Sequence, residues 1–272
     1  MGGIMYNVGI IGNGFVGSSV AAGYSLHAKV KIYDTDSRKA THNISEVINS
    51  DFVFVAVPTP TGEYGAIDLS IVDTVFNTIS KLNERNDNVI IIKSTIIPGT
   101  TQRYIKKYKN LNIVHSPEFL TERVARLGFI NAARIVLGGE KKNTKKVKEL
   151  FRIRFPHTKI IQTDAATAEF IKYMANSFFA VKVSFMNELK QAADTLGVDW
   201  QDAMDGFISD GRIGNSHLDV PGHDGKRGFG GKCFPKDINA FIHFFESIEV
   251  KPSVMRAAWE KNLEVREQSN EY

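Results

Sequence analysis

The sequence predicts an α/β fold: a doubly wound parallel sheet, then a long central helix and a small all-helical domain. Three observations predict it. Short β-rich runs alternate with helical patterns up to Thr163, most of those runs are continuously apolar, and beyond Thr163 the strand pattern stops. Continuous apolar runs fit parallel strands covered on both faces, whereas half-exposed strands alternate.

The candidate strands are "YNVGII" (6–11), "KVKIYD" (29–34), "DFVFVAV" (51–57), "NVIIIKS" (88–94), "NIVHS" (112–116), "ARIVLGG" (133–139) and "TKIIQT" (158–163). Helical patterns separate most of them, which is βαβ repetition. The expected first domain is therefore 1–163. From Ala165 to about Leu196 there is no proline or glycine, and Phe170, Ile171, Met174, Phe178, Val181, Phe185 and Leu189 recur at spacings of three and four. That pattern predicts one long helix, ended by Gly197. A shorter helix around Trp200 to Ile208, a glycine-rich loop (209–234) and helical patterns at 236–247 and about 252–268 complete an expected second domain, 164–272.

The chain of 272 residues is long enough for two domains. With 43% hydrophobic and 24% charged residues it has the composition of a soluble globular protein. A single cysteine excludes an internal disulfide and suits a reducing compartment. The net charge of +4 is too small to argue for nucleic acid, and the basic run "KKNTKKVKEL" (141–150) reads as a solvated helix face. No segment has the roughly 18 apolar residues of a membrane span. The N-terminus lacks the basic region of a signal peptide, and Tyr6 stands where a myristoylation signal has serine or threonine. The expectation is a cytoplasmic protein without nucleic-acid or membrane partners. His217 and His223 have no spaced cysteines, so no metal site is expected.

"VGIIGNGFVG" (8–17) places Gly12, Gly14 and Gly17 in GxGxxG spacing between a strand and a helix, with Phe15 and Val16 in that helix's first turn. Asp34 ends the second strand 17 positions after Gly17. Gly12 permits the tight turn, Gly14 lets backbone approach a pyrophosphate, Gly17 packs helix on strand, and the carboxylate accepts from ribose hydroxyls. Asp34 would repel a 2′-phosphate despite Arg38, so the cofactor indicated is NAD.

Five more stretches are expected where strands end, which is where open α/β sheets bind ligands: "AVPTP" (56–60), "KSTIIPGTT" (93–101), "SPEFLTE" (116–122), "KYMAN" (172–176) and "GFGGKCFPKD" (228–237). Taken singly, Thr95 could cap a turn, and Glu118 and Glu122 could be first-turn helix acids. Lys172 and Asn176, however, share one helix face at i and i+4, within an apolar stretch where a lysine is costly without a use. Cys233 sits among glycines and lysines rather than in an apolar run.

In order along the chain these stretches, with "GAIDLS" (65–70) and "GRIGN" (211–215), resemble the UDP-glucose/GDP-mannose dehydrogenase family over nearly the whole sequence. The resemblance implies a Rossmann-like NAD domain and oxidation of C6 of a nucleotide-linked hexose, with UDP-glucose foremost, through aldehyde to carboxylate using two NAD. It implies Cys233 as the nucleophile that forms a thiohemiacetal and then a thioester. Lys172 would stabilise the oxyanion, Asn176 orient that oxygen or the sugar, and Asp237 act with Thr95 on water. Glu122 would be the base for thioester hydrolysis, with Glu118 supporting it. Val57, Pro58, Thr59 and Thr95 would line the cofactor. Phe119, Leu120, Phe229, Gly230 and Gly231 would line the substrate, with Glu118, Lys172 and Asn176, while Lys232 and Lys236 could face phosphate. Arg212 would reach into a partner subunit's site, and the long helix would form the core of a homodimer.

The sequence departs from the family in two places. Only 16 residues separate Asp34 from "DFVFVAV", so an extra strand is expected to be missing. The family's second nucleotide-binding-like domain would follow the last helix, whereas this sequence stops at Tyr272. Weak substrate affinity is the expectation from that. A two-electron β-hydroxyacid-type dehydrogenase and a non-catalytic NAD-binding subunit stay open as alternatives, though the first leaves "GGKCFPKD" unexplained.

Overall fold

All seven apolar runs form strands in the computed structural model, which describes residues 5–119, 129 and 132–268: β1 (Asn7–Ile11), β2 (Lys29–Tyr33), β3 (Phe52–Val55), β4 (Val89–Ile92), β5 (Ile113–His115), β6 (Arg134–Gly139) and β7 (Lys159–Thr163). They make one sheet in the order β2-β1-β3-β4-β5-β6-β7. Every pairing is parallel except β5 with β6, where Val114 faces Gly139 and His115 faces Gly138 antiparallel. The wholly parallel sheet expected from the runs is corrected there, because strand direction is set by the connection rather than by the run's composition.

The helices among the described residues are α1 (Phe15–Tyr24), α2 (Ile44–Ile48), α3 (Ser70–Leu82), α4 (Thr100–Lys107), α5 (Lys141–Arg154), α6 (Ala165–Leu196), α7 (Trp200–Ile208), α8 (Phe234–Ser247) and α9 (Ser253–Gln268). None is long and apolar enough to cross a membrane. Between Tyr33 and Phe52 lie only a 3-10 turn, Ser37–Lys39, and α2, so the extra strand is indeed missing.

Successive strand side chains point to opposite faces, and both faces are covered. Val8, Ile10, Phe54 and Ile91 pack with Tyr24 of α1 and Val147, Leu150 and Phe151 of α5. Val53, Val55, Ile90 and Ile92 pack on the other face with Val72 and Phe76 of α3 and Tyr104 of α4. Each such side chain contributes about 1.5–3 kcal/mol of burial. On α5 the lysines of the basic run point outward, while Thr144, Val147 and Leu150 are buried.

The chain divides into two compact units, one formed by residues up to Pro60 with Ile67–Lys172, the other by Thr61–Ala66 with Tyr173 onward. The first holds the sheet. The second is helical, with a core of Ala180, Phe229, Ile238, Ile242 and Ala258. Its 61–66 segment contributes a 3-10 turn that lays Gly65 against Asn239 of α8. On α6 most buried residues are small or polar, among them Asn176, Ser177, Ala180, Ser184 and Asn187, with Tyr173 and Met186 the large exceptions, whereas Met174, Phe178, Phe185 and Leu189 are exposed. The predicted helix stands, but its apolar stripe is not the face packed within the chain.

Candidate active site

Beyond Ile11 the chain turns at Gly12 (φ +93), whose N–H donates to Tyr33 O at 2.9 Å. A Cβ at Gly17 would overlap the Gly12 carbonyl oxygen, so α1 seats on β1 only without a side chain there. A Cβ at Gly14 would meet nothing. Gly14 is also the N-cap of α1, and no side-chain cap bonds the first N–H groups of the helix. That is the cradle a pyrophosphate requires. Phe15 is exposed and Val16 half-buried beside it. The Asp34 carboxylate is held at the end of β2 by the N–H groups of Asn13 (2.6 Å) and Asp36 (2.9 Å). Arg38 turns instead to Asp36 at 2.9 Å, which lowers that carboxyl below its usual range. These residues fit a dinucleotide with a free ribose 2′-hydroxyl.

The order places β1 between β2 and β3, the switch point where such sheets bind ligands. Val57, Pro58 and Thr59 follow β3 there. The Ser94 hydroxyl accepts from Val57 N–H (3.0 Å) and donates to Val57 O (2.7 Å), locking the ends of β3 and β4 together next to half-buried Thr95.

At the ends of β4 and β5 lies a buried polar cluster. The Lys93 ammonium pairs with Glu118 at 3.0 Å, and the other Glu118 oxygen accepts from Phe119 N–H at 3.1 Å. The Phe119 ring lies under the Arg134 guanidinium at 4.2 Å and 5.7 Å from the ammonium of buried Lys172. His115 is fully buried with neither ring nitrogen hydrogen-bonded. Burial, and then the charges of Lys93 and Lys172, push its pKa down to about 3, so the ring stays neutral.

Glu169, one turn before Lys172, accepts from Gly99 N–H (2.6 Å) and Thr101 N–H (2.7 Å). A carboxylate of α6 thus caps α4 just after the Thr95 loop. Burial outweighs these bonds and pushes its pKa up to about 7. Leu120 and Glu122 lie outside the described residues.

In the second unit Cys233 is the half-buried N-cap of α8, with proline in the first turn and Asp237 N–H donating to Cys233 O at 2.8 Å. A helix N-terminus favours negative charge, which suits a thiolate. Asp237 is buried; one carboxylate oxygen accepts from the Asn176 amide at 2.5 Å and the other meets the Lys236 ammonium at 2.5 Å. Lys236 therefore turns to Asp237, while Lys232 is exposed. Phe229 is a core side chain, with Trp259 at 6.0 Å, so what it offers outward is backbone. Gly230 is half-buried and Gly231 exposed. The Arg212 side chain is 90% exposed and pairs with Asp210 at 2.5 Å.

Sequence reasoning passed over Lys93, Ser94, His115, Glu169, Asn187, Asn262 and Arg266. Glu169 carried a legible signal, since an acid in the same buried stretch as Lys172 invites the same question. Lys93 likewise ends the apolar run "VIII".

Two family models match the chain: the UDP-glucose/GDP-mannose dehydrogenase family NAD binding domain over residues 26–154 and that family's central domain over 166–264. The UDP-glucose 6-dehydrogenase of Rickettsia conorii is 31% identical over 296 aligned residues, covering 94% of this chain and 66% of that protein. The chain thus spans just under two thirds of that relative. The solved UDP-glucose dehydrogenase of the hyperthermophilic archaeon Pyrobaculum islandicum superposes with a TM-score of 0.82 at 26% identity, covering 96% of this chain and 68% of the other. The 3-hydroxyisobutyrate dehydrogenase of Mycobacterium tuberculosis, at 17% identity and TM-score 0.77, covers 94% of this chain and 92% of its own and shares the fold.

Proposed function

Because the chain belongs to the UDP-glucose/GDP-mannose dehydrogenase family, we propose that it oxidises the C6 hydroxymethyl of a nucleotide sugar, foremost UDP-glucose, to the carboxylate. The observation that carries this reading is Cys233 at the head of α8, one turn from an Asp237 whose carboxylate is tied to Asn176. NAD, when bound, supplies the hydride acceptor for each of the two oxidations. Gly12, Gly14, Gly17 and Asp34 would hold it, with the turn of Val57, Pro58 and Thr59 alongside.

The sulfur of Cys233 adds to the C6 aldehyde and gives a thiohemiacetal, a tetrahedral adduct whose remaining C6 hydrogen leaves as hydride, driven out by the adjacent oxygen. After that loss the carbon is a thioester, and one water releases the acid and the thiol. Lys172 supplies positive charge to the oxyanion. Asn176 spends one N–H on Asp237 and keeps the other for a sugar oxygen. Asp237, with both oxygens engaged, anchors rather than abstracts protons. That leaves water activation to Glu122 with Thr95, and Glu118, paired with Lys93, as an acceptor.

The exposed stripe Met174, Phe178 and Phe185 supports a homodimer through α6, and the solvent-exposed Arg212 would leave its Asp210 pairing to reach a partner's substrate. The lone thiol, outside any disulfide, suits a cytoplasmic enzyme. The test is incubation with NAD and a panel of UDP- and GDP-sugars, counting NADH and sugar acid. Two NADH per acid supports the reading. One NADH with no acid indicates a two-electron dehydrogenase, and NAD binding without turnover on any sugar indicates a non-catalytic subunit.

A further inference from the structure

The turn before the cysteine is irregular, yet its backbone is held. Gly228 N–H donates to Asn187 Oδ1 at 3.0 Å, and Phe229 N–H donates to Asn262 Oδ1 at 2.6 Å. Phe229 O accepts from Arg266 Nε at 3.1 Å, and the same guanidinium pairs with Asp224 at 2.8 Å. Asn187 on α6 and Asn262 on α9 are 1% and 2% exposed, so each oxygen is withdrawn from water to serve this one turn. Asparagine has no helical propensity to recommend it at an interior helix position, and a buried amide is costly unless bonded. Fit reinforces the bonds: Gly228 has φ +72, and a Cβ at Gly230 would overlap the Arg266 guanidinium. Only Gly230, Gly231 and Lys232 separate this clamped peptide from Cys233.

The far side of the cysteine is held from the same helix. Asn176 bonds Asp237 in the first turn of α8, and Asn187 lies eleven residues further along α6, about three turns and therefore on the same face. One face of α6 thus grips the chain on both sides of the thiol, at Gly228 before it and at Asp237 after it.

We propose that Asn187 and Asn262 are positioning residues for Cys233, whose side-chain oxygens set the turn that presents the thiol at the head of α8. The consequence for turnover rests on the reading of Cys233 as nucleophile, but the geometry does not, and the test reads the thiol without substrate or cofactor.

Cys233 is the only cysteine, so alkylation by iodoacetamide of the folded protein reports one site. Only the oxygens of the two asparagines serve the turn, so the acceptor-keeping and acceptor-lacking variants separate positioning from bulk packing. Asn262→Leu and Asn187→Leu are expected to speed alkylation at least about fivefold as the turn opens, while Asn262→Asp stays within about twofold of the parent. Leucine variants that fold and alkylate at the parent rate overturn the proposal, as does an aspartate variant no better than leucine. Should the leucine variants not fold, amide exchange of the unaltered protein decides. Slow exchange at Gly228 and Phe229 is expected, and exchange there at the rate of an open chain overturns the assignment.

Discussion

The Asn176 amide donates to the buried Asp237 carboxylate at 2.5 Å, joining α6 to the first turn of α8 four residues beyond Cys233. Removing Asn176 leaves one buried Asp237 oxygen without its donor, removing Asp237 leaves the Asn176 amide without its acceptor, and hydrogen bonds to charged groups are the strong class. Asn176→Ala and Asp237→Ala are each expected to lower unfolding free energy in urea by about 1–3 kcal/mol. The double variant should fall short of the sum by a coupling of similar size. Additive losses would show that the bond contributes nothing.

Glu169 gives the folded protein a pH signature. Its folded pKa of about 7 lies above the ordinary 4.5, so between those values the folded chain keeps a proton that the unfolded chain has released. Raising pH through that window therefore weakens folding through this group, by at most about 1.4 kcal/mol per pH unit. His115 acts in the opposite sense. Held neutral with a pKa of about 3 against 6.5, it costs stability as pH falls below 6.5. Thermal unfolding across pH 5 to 8 is expected to show Glu169→Gln with a smaller loss of stability on alkalinisation than the parent. Parallel curves would contradict the assignment.

The outward stripe on α6 exposes 62% of Phe178 and 52% of Phe185. Soluble monomers seldom leave such a row uncovered. Sedimentation is expected to show a dimer for the parent and a monomer for Phe178→Asp combined with Phe185→Asp. A monomeric parent would refute the homodimer.

The strands were legible because a sheet covered on both faces writes unbroken apolar runs, as "VIII" does at β4. The glycine turn was legible because Gly12 and Gly17 each meet a steric demand that other residues fail. Other features were not. The antiparallel entry of β6 leaves no trace in its composition. The inward face of α6 inverts the usual rule, since Asn176, Ser184 and Asn187 are buried while phenylalanines face out. Asn187 and Asn262 act on backbone 41 and 33 residues away, so nothing local marks them. Polar groups buried to hold a functional loop are where pattern reasoning is expected to fail.

The most direct test of the account is the fate of UDP-glucose and NAD with Cys233→Ala. Without the sulfur no thiohemiacetal forms, so the second hydride loss is deprived of the covalent adduct it proceeds from. The account predicts two NADH per sugar acid from the parent, and from the variant at most one NADH per sugar, with aldehyde and no acid. Sugar acid formed by the variant with two NADH, at a rate near that of the parent, would contradict it.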